Sequence, residues 1–134
     1  MNEESQQIPV VSDQDVVRVR QLVRTVAVAV KLSLVDQTKL VTAASELARN
    51  TLVYGGGGKV EVTRVRNERR AGIRIVFADQ GPGIADLDLA LTDGYTTGGG
   101  LGLGLSGARR LVDEFDIQTE VGKGTTITVV KWCR

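Results

Sequence analysis

Two polar residues in the segment SELARN, residues 45–50, have a spacing that suits acid–base chemistry beside a metal ion. Glu46 and Asn50 are four positions apart, so on a helix they lie one above the other on the same face. A glutamate can act as a general base, and an asparagine oxygen is a ligand that suits Mg²⁺. The same pair is also compatible with an ordinary solvated helix face, and its spacing alone leaves both interpretations open.

A second candidate group is the motif Asp79-Gln-Gly-Pro-Gly, which ends an apolar segment. An acid at the end of a strand places a carboxylate at the edge of a sheet, where it can accept a hydrogen bond from an exocyclic amine such as that of adenine. Gly81 and Gly83 would let a flat ring approach the backbone closely. Gly-Pro-Gly is also strong turn chemistry, so a plain turn is the alternative.

The third candidate is the glycine-rich run TTGGGLGLGL, residues 96–105. Gly102, Gly104 and Gly107 match the dinucleotide-binding spacing, but that motif requires a strand directly before it, and none is predicted here. The segment GGGGKV, residues 55–60, resembles a Walker loop only loosely, because its lysine is followed by valine. Neither familiar phosphate motif therefore applies.

The glycine-rich run is either a flexible linker or a phosphate site that leads into a predicted helix. Free backbone N–H groups and the positive end of a helix favour phosphate binding. No Lys or Arg occurs between Arg74 and Arg109. If phosphates bind here, backbone amides and a metal ion must therefore carry most of the charge compensation.

The composition excludes several other classes of function. A chain of 134 residues with 42% hydrophobic and 25% charged residues is typical of a single globular domain, residues 1–134. A net charge of +1 gives no reason to expect nucleic acid or a membrane as partner, and the single Cys133 suits a cytoplasmic protein. The chain has no histidine, which excludes a Ser-His-Asp or Cys-His centre and argues against a transition-metal site.

The periodicity of the sequence predicts helices joined to pairs of adjacent strands. Apolar residues at helical spacing follow possible N-caps at Ser12 and Ser33, whereas alternating apolar and polar residues indicate strands. Helices are predicted over 13–31, 33–54, 86–91 and 106–115, and strands over 59–66, 73–79, 116–121 and 125–132. This order favours an α+β two-layer sandwich with a mostly antiparallel sheet and helices on one face, while residues 1–11 are either flexible or an edge strand.

Taken together and in this order, the motifs resemble the GHKL ATPases, the superfamily of DNA gyrase, histidine kinases and the bacterial anti-sigma kinases. The motifs that carry the resemblance are E-x-x-x-N on a helix, D-x-G-x-G after a strand, G-x-G before a helix and Gly124-Thr125. The resemblance implies the Bergerat ATP-binding fold with ATP and Mg²⁺ as cofactors. The segments AASELARN, DQGPGI, DGYTTGGGLG, LVDEF and KWCR are most similar to those of the free-standing serine kinases that switch the bacterial stressosome.

The resemblance also implies roles for individual residues. Glu46 would be the catalytic base that polarises a seryl hydroxyl, Asn50 would be a Mg²⁺ ligand, and Asp79 would bind the adenine amino group. The remaining nucleotide contacts implied are Gly81, Gly83 and Thr125 near the base, and Gly98, Gly99, Gly100, Leu101, Gly102 and Gly104 in a lid over the phosphates. Some anti-sigma kinases carry an arginine in this lid, whereas this chain has none there.

The partners that the resemblance implies are STAS-domain proteins, phosphorylated on Ser or Thr, and a phosphatase of the PP2C type activated by binding. Two alternatives stay open: a partner-binding or anti-sigma module controlled by nucleotide, and an ATPase without a protein acceptor. Basic residues of the 64–74 hairpin are either a docking patch or a solvated face, and the same holds for the arginines of the first helix. The hairpin residues are Arg64, Arg66, Arg69, Arg70 and Arg74, and the helix residues are Arg18, Arg20 and Arg24.

Overall fold

Five strands form one antiparallel sheet in the computed structural model, which describes residues 5–84, 91 and 104–134. The strands are β1 (Ser5–Val10), β2 (Gly58–Arg66), β3 (Ala71–Asp79), β4 (Glu114–Glu120) and β5 (Gly124–Trp132), and the helices are α1 (Asp13–Ala29), α2 (Leu34–Val53) and α3 (Gly104–Arg110). The spatial order of the strands is β1-β2-β3-β5-β4. Residues 5–10 are therefore an edge strand, which was one of the two alternatives for the N-terminal segment.

One face of the sheet is apolar and lies against the two long helices. Val62 pairs with Ile75, and Ile75 pairs with Val129, so these three buried side chains form a row across the sheet. They belong to a single core cluster with residues of α1 and α2, such as Val19 and Leu47. This arrangement confirms the predicted α+β sandwich with helices on one face of an antiparallel sheet.

Both long helices begin at the predicted caps. The Ser12 hydroxyl accepts a hydrogen bond from the Asp15 backbone N–H at 3.4 Å, and the Ser33 hydroxyl accepts one from Asp36 at 3.1 Å. The Asp15 carboxylate in turn accepts a hydrogen bond from the Val11 backbone N–H, which lowers the pKa of this carboxyl group below its usual value. These local bonds fix the entry points of α1 and α2.

Several predicted boundaries differ from the structure, most of all those of the first and third helices. The first helix ends at Ala29 rather than at Lys31, because Lys31 has a φ of 68°, in the left-handed region. The third described helix begins at Gly104 instead of Ser106 and ends at Arg110. Its prediction to Phe115 was wrong, since Phe115 belongs to β4, where it pairs with Val129. The short helix predicted over 86–91 falls almost wholly outside the described residues.

A buried ion cluster joins the end of β5 to the start of α2. Lys131 is only 3% exposed and pairs in register with Ile73 on the inner face of the sheet. Its ammonium group lies 3.5 Å from an Asp36 carboxylate oxygen and 3.6 Å from one of Asp113. Arg134 also forms an ion pair with Asp113. The cluster therefore holds together three segments that are distant in sequence.

We predict that Lys131→Met lowers the free energy of unfolding by about 3 kcal/mol, because removing one partner of a buried ion pair leaves an uncompensated charge. Methionine retains most of the apolar stem, so the loss reports the charge. The measurement is urea unfolding followed by circular dichroism. Lys123→Met is the matched control, since its ion pair with Glu120 is exposed and is expected to contribute under about 1 kcal/mol. Equal stability of Lys131→Met and wild type would contradict the prediction.

Candidate functional site

The helix α2 carries the predicted pair Glu46 and Asn50 on one face. Glu46 is only 5% exposed, and Asn50 is half-buried. The side chain of Glu46 is therefore more shielded from solvent than that of Asn50. The neighbouring Arg49 is half-exposed, and its guanidinium group lies 3.8 Å from an Asp13 carboxylate oxygen. A glutamate that is shielded from bulk solvent is suited to proton transfer with a group brought to it by a ligand.

The end of α2 makes a close backbone contact with the DQGPG loop. The Asn50 carbonyl accepts hydrogen bonds from the N–H groups of Tyr54 and Gly55, at 2.9 and 3.1 Å. A Cβ atom on Gly55 would lie 2.6 Å from Asp79 Oδ2, and one on Gly81 would lie 2.7 Å from the Gly55 Cα. Neither position has room for a side chain, so glycine is required for α2 and the loop to approach this closely.

Backbone hydrogen bonds fix the orientation of the Asp79 carboxylate. Its Oδ1 accepts from the Gly81 N–H at 2.9 Å and from the Thr125 N–H at 3.2 Å. Within the described part of the chain, Oδ2 has no hydrogen-bond donor. One oxygen is therefore held by the protein while the other can accept a hydrogen bond from a ligand. The role predicted from the sequence, in which Asp79 receives an exocyclic amine, would use this second oxygen and stays a prediction.

A residue that the sequence analysis missed, Thr119, holds the DQGPG loop against the β4–β5 hairpin. The Ile84 backbone N–H donates to the Thr119 hydroxyl at 2.9 Å, and the hydroxyls of Thr119 and Thr125 are 2.9 Å apart. The Gly122 N–H also donates to the Pro82 carbonyl at 2.8 Å. Thr119 and Thr125 are partners in the β4–β5 register. The available signal was therefore the predicted hairpin, which places a second threonine opposite the Gly124-Thr125 motif.

The predicted lid lies mostly outside the described residues. This applies to Gly98, Gly99, Gly100, Leu101 and Gly102, so their phosphate contacts stay a prediction. Gly104 begins α3 with a φ of 63°, and α3 packs on α2. The end of the predicted lid is thus placed beside the helix that carries the Glu46–Asn50 pair.

The other predicted base contacts lie around Asp79. The Thr125 N–H binds its carboxylate, and a Cβ atom on Gly124 would lie 2.7 Å from the Gln80 Cα. Gly83 has a φ of 77° and approaches the backbone of Val121. The structure therefore brings Asp79, Gly83 and Thr125 together at one end of the sheet.

The described residues form neither a membrane-spanning helix nor a cluster of metal-ligating side chains. No described helix combines the length and low charge that crossing a membrane requires. Within residues 5–84, 91 and 104–134, no three His, Cys, Asp or Glu residues are grouped as metal ligands.

Comparison with known proteins decides the family. Residues 35–133 match the family described as histidine kinase-, DNA gyrase B- and HSP90-like ATPases. The chain is also 42% identical to the serine/threonine-protein kinase RsbT of Bacillus subtilis, over the full length of both proteins. The chain belongs to the GHKL ATPase family. Within that family, the full-length relationship places it among the serine/threonine-protein kinases and assigns an ATP-binding function.

More distant relatives of this GHKL protein agree in fold. The anti-sigma F factor of Clostridium acetobutylicum is 30% identical over 103 residues, which cover 72% of this chain and 69% of that protein. The RsbU and RsbW domains of a Mycobacterium tuberculosis protein match with a TM-score of 0.64 and 18% identity, over all of this chain and 33% of that one. The mycobacterial sensor histidine kinase MprB matches with a TM-score of 0.57 and 19% identity, over 98% and 99% of the two chains. The identities of 18% and 19% to the two solved structures indicate the shared fold alone.

We predict that Thr119→Val weakens the binding of ATP to this protein about five- to tenfold. The reason is that the Ile84 N–H loses its acceptor and the DQGPG loop loses its anchor to β4. Calorimetric titration measures the affinity, and amide hydrogen exchange at Ile84 should accelerate. Thr128→Val is the control, because Thr128 lies on the opposite face of the sheet from Thr125. Unchanged exchange at Ile84 together with unchanged affinity would rule out a positioning role for Thr119.

Proposed function

We propose that this protein transfers the γ-phosphoryl group of ATP to a serine or threonine of a STAS-domain partner, as the kinase of a bacterial stress-signalling switch in the cytoplasm. The full-length relationship to a serine/threonine-protein kinase carries the proposal. The fixed Asp79 carboxylate and the shielded Glu46 support it, since one suits adenine and the other suits a proton acceptor.

The adenine would bind at Asp79. Its Oδ1 is already held by two backbone N–H groups, so Oδ2 is oriented to accept from the adenine amino group without further ordering. Gly81, Gly83 and Thr125 surround this carboxylate and would contact the base. Glycine at the first two positions lets the loop pack closely on the backbones of Gly55 and Glu120, which holds the loop beside the carboxylate.

The phosphates would extend from Asp79 toward Glu46 and the N-terminus of α3. Asn50 would ligate Mg²⁺, which usually takes only one or two protein ligands and completes its shell with phosphate oxygens and water. The half-buried amide of Asn50 fits that role. The lid residues 98–102 and Gly104 would supply backbone N–H groups, in a segment that has no Lys or Arg.

Glu46 would accept the proton of the attacking hydroxyl. The seryl or threonyl oxygen forms a bond to the γ-phosphorus as the bond from that phosphorus to the β–γ bridging oxygen breaks. The electron pair of the broken bond stays with ADP, and the hydroxyl proton passes to the Glu46 carboxylate. Most of the rate enhancement in such transfers comes from positioning and charge stabilisation, so modest turnover is expected.

A second candidate function is a module whose partner binding is controlled by nucleotide and in which transfer is secondary. The anti-sigma F factor relatives favour it. In that case the affinity for the partner should differ between the ADP-bound and the ATP-bound protein, even in an Asn50→Ala variant that shows no detectable phosphoryl transfer. Binding and activation of a PP2C-type phosphatase by the released kinase would be a further consequence of the switch.

We predict that Glu46→Gln lowers phosphoryl transfer about a hundredfold or more while changing ATP affinity less than about threefold, because the amide keeps the shape but cannot accept the proton. Transfer of labelled phosphate from ATP to a purified STAS-domain protein measures the rate, and calorimetry measures ATP binding. Glu68→Gln is the matched control, since Glu68 is exposed in the β2–β3 turn. Wild-type transfer by Glu46→Gln would exclude the role of base. If labelled phosphate is released into solution and no label appears on the STAS-domain protein, the chain is instead an ATPase without a protein acceptor.

A further inference from the structure

A groove between α1 and α2 opens on the side of the molecule where Glu46 lies. Its volume is about 620 Å³, and the side chains of both helices line it. Arg20 and Arg24 contribute from α1, while Ser45, Glu46 and Arg49 contribute from α2. We propose that this groove is the docking surface for an acidic segment of the phospho-acceptor protein, an inference that rests on the proposed kinase function.

The charge of the groove supports an acidic occupant. Its lining contains the guanidinium groups of Arg20, Arg24 and Arg49 and the carboxylate of Glu46. Since Arg49 also lies 3.8 Å from the Asp13 carboxylate, the positive charge available to a partner is that of Arg20 and Arg24. A surface of one sign attracts a segment of the opposite sign, and such complementarity sets both encounter rate and specificity.

The arginines of α1 differ in what they contact. Arg18 forms an ion pair with Asp15 at 3.2 Å, on a different side of the helix. Arg20 and Arg24, which line the groove, make no ion pair or hydrogen bond with any part of the chain that the structure describes. Their guanidinium groups can therefore bind carboxylates of a partner without first breaking an internal contact.

The exposed apolar residues of α1 extend the same face beyond the charged centre. Val17 precedes Arg20 by three positions and Val28 follows Arg24 by four, so all four residues lie along one side of the helix. Val17 is 45% exposed and Val28 is 57% exposed. A matching segment would carry Asp or Glu at its centre and apolar residues at its ends.

The position of the groove relative to Glu46 explains why the segment would belong to the phospho-acceptor. Glu46 lines the groove, whereas Asp79 and Gly55 lie at the end of α2, more than two helical turns further along. A segment in the groove would bring its hydroxyl to Glu46 from the α1 side and leave the end of α2 to the nucleotide. The hydroxyls of Thr42 and Ser45, also in the lining, can bind its backbone.

The test uses a short fluorescein-labelled peptide in which a serine is flanked by glutamates and capped by leucines, with a second peptide that has glutamine in place of glutamate. Fluorescence anisotropy measures binding to the wild-type chain and to the double variant Arg20→Glu/Arg24→Glu. We expect the wild type to bind the glutamate peptide about tenfold more tightly than the glutamine peptide, and the double variant to lose that preference. The preference should weaken as salt is added.

The control variant Arg69→Glu/Arg70→Glu makes the same charge change in the exposed β2–β3 turn. It should keep the preference of the wild type. Equal binding of both peptides by the wild type would overturn the proposal. An equal loss of the glutamate preference in the control variant would also overturn it and would indicate the 64–74 hairpin as the binding surface. Tighter binding of a single-stranded oligonucleotide than of the glutamate peptide, abolished by the groove variant, would also overturn it.

Two further measurements separate this proposal from the proposed function and from a folding defect. ATP affinity of the groove variants should stay within about twofold of wild type, because the arginines lie outside the nucleotide contacts. Arg20→Gln/Arg24→Gln, a milder change, should show an intermediate loss of the peptide preference with an unchanged circular dichroism spectrum. The wild-type protein could bind the peptide and yet fail to phosphorylate any STAS-domain protein. That result would refute the proposed phospho-acceptor, while the groove would remain a site for acidic peptides.

Discussion

The close backbone contact between the end of α2 and the strand end at Asp79 is the constraint on which the site depends. Glycine at 55 and 124 removes Cβ atoms that would clash with the Asp79 segment, and glycine at 81 removes one that would clash with Gly55. The resulting proximity lets the N–H groups of Gly81 and Thr125 hold one carboxylate oxygen and leave the other directed to a ligand. Glycine loses more conformational entropy on folding than other residues do, but here it permits the close contact that fixes a polar acceptor at the edge of the sheet.

The helix α2 connects this contact to the rest of the fold because it is held at both ends. Near its start, Asp36 lies beside the buried Lys131 ammonium group, which also contacts Asp113. At its other end, the backbone of Gly55 packs against Asp79 and Gly81. Glu46 and Asn50 lie on the helix between these anchors, so their distance from Asp79 is set by packing and not by a loop. The groove against α1 lies along the same helix, which would place an acceptor segment and a nucleotide on one rigid element.

Much of this could be predicted from the sequence, because the signals were local. Ser12 and Ser33 cap their helices as predicted, and alternation of apolar residues located β2 and β3. The helix predicted to Phe115 failed because Leu111, Val112 and Phe115 have helical spacing, but the chain leaves the helix at Arg110 and pairs with β5. That outcome depends on strand pairing, which local periodicity does not contain.

The remaining features depend on contacts between distant segments. Lys131 gave no sign of being buried, since its two carboxylate partners come from residues 36 and 113. Thr119 acquires its role from its position opposite Thr125 in the β4–β5 register. The depth of Glu46 likewise follows from how α1 and α2 pack. Motif order was nevertheless sufficient to predict the family, because the motifs supply most of the groups placed around Asp79.

Comparative titration of the wild-type protein with ATP and GTP tests the account most directly. Adenine presents an amino group where guanine presents a carbonyl oxygen, and the free Asp79 oxygen can accept a hydrogen bond only from the former. We predict that ATP binds at least about tenfold more tightly than GTP, a difference of about 1.4 kcal/mol, and that Asp79→Asn removes most of this discrimination. Equal affinity for the two nucleotides in the wild-type protein would contradict it.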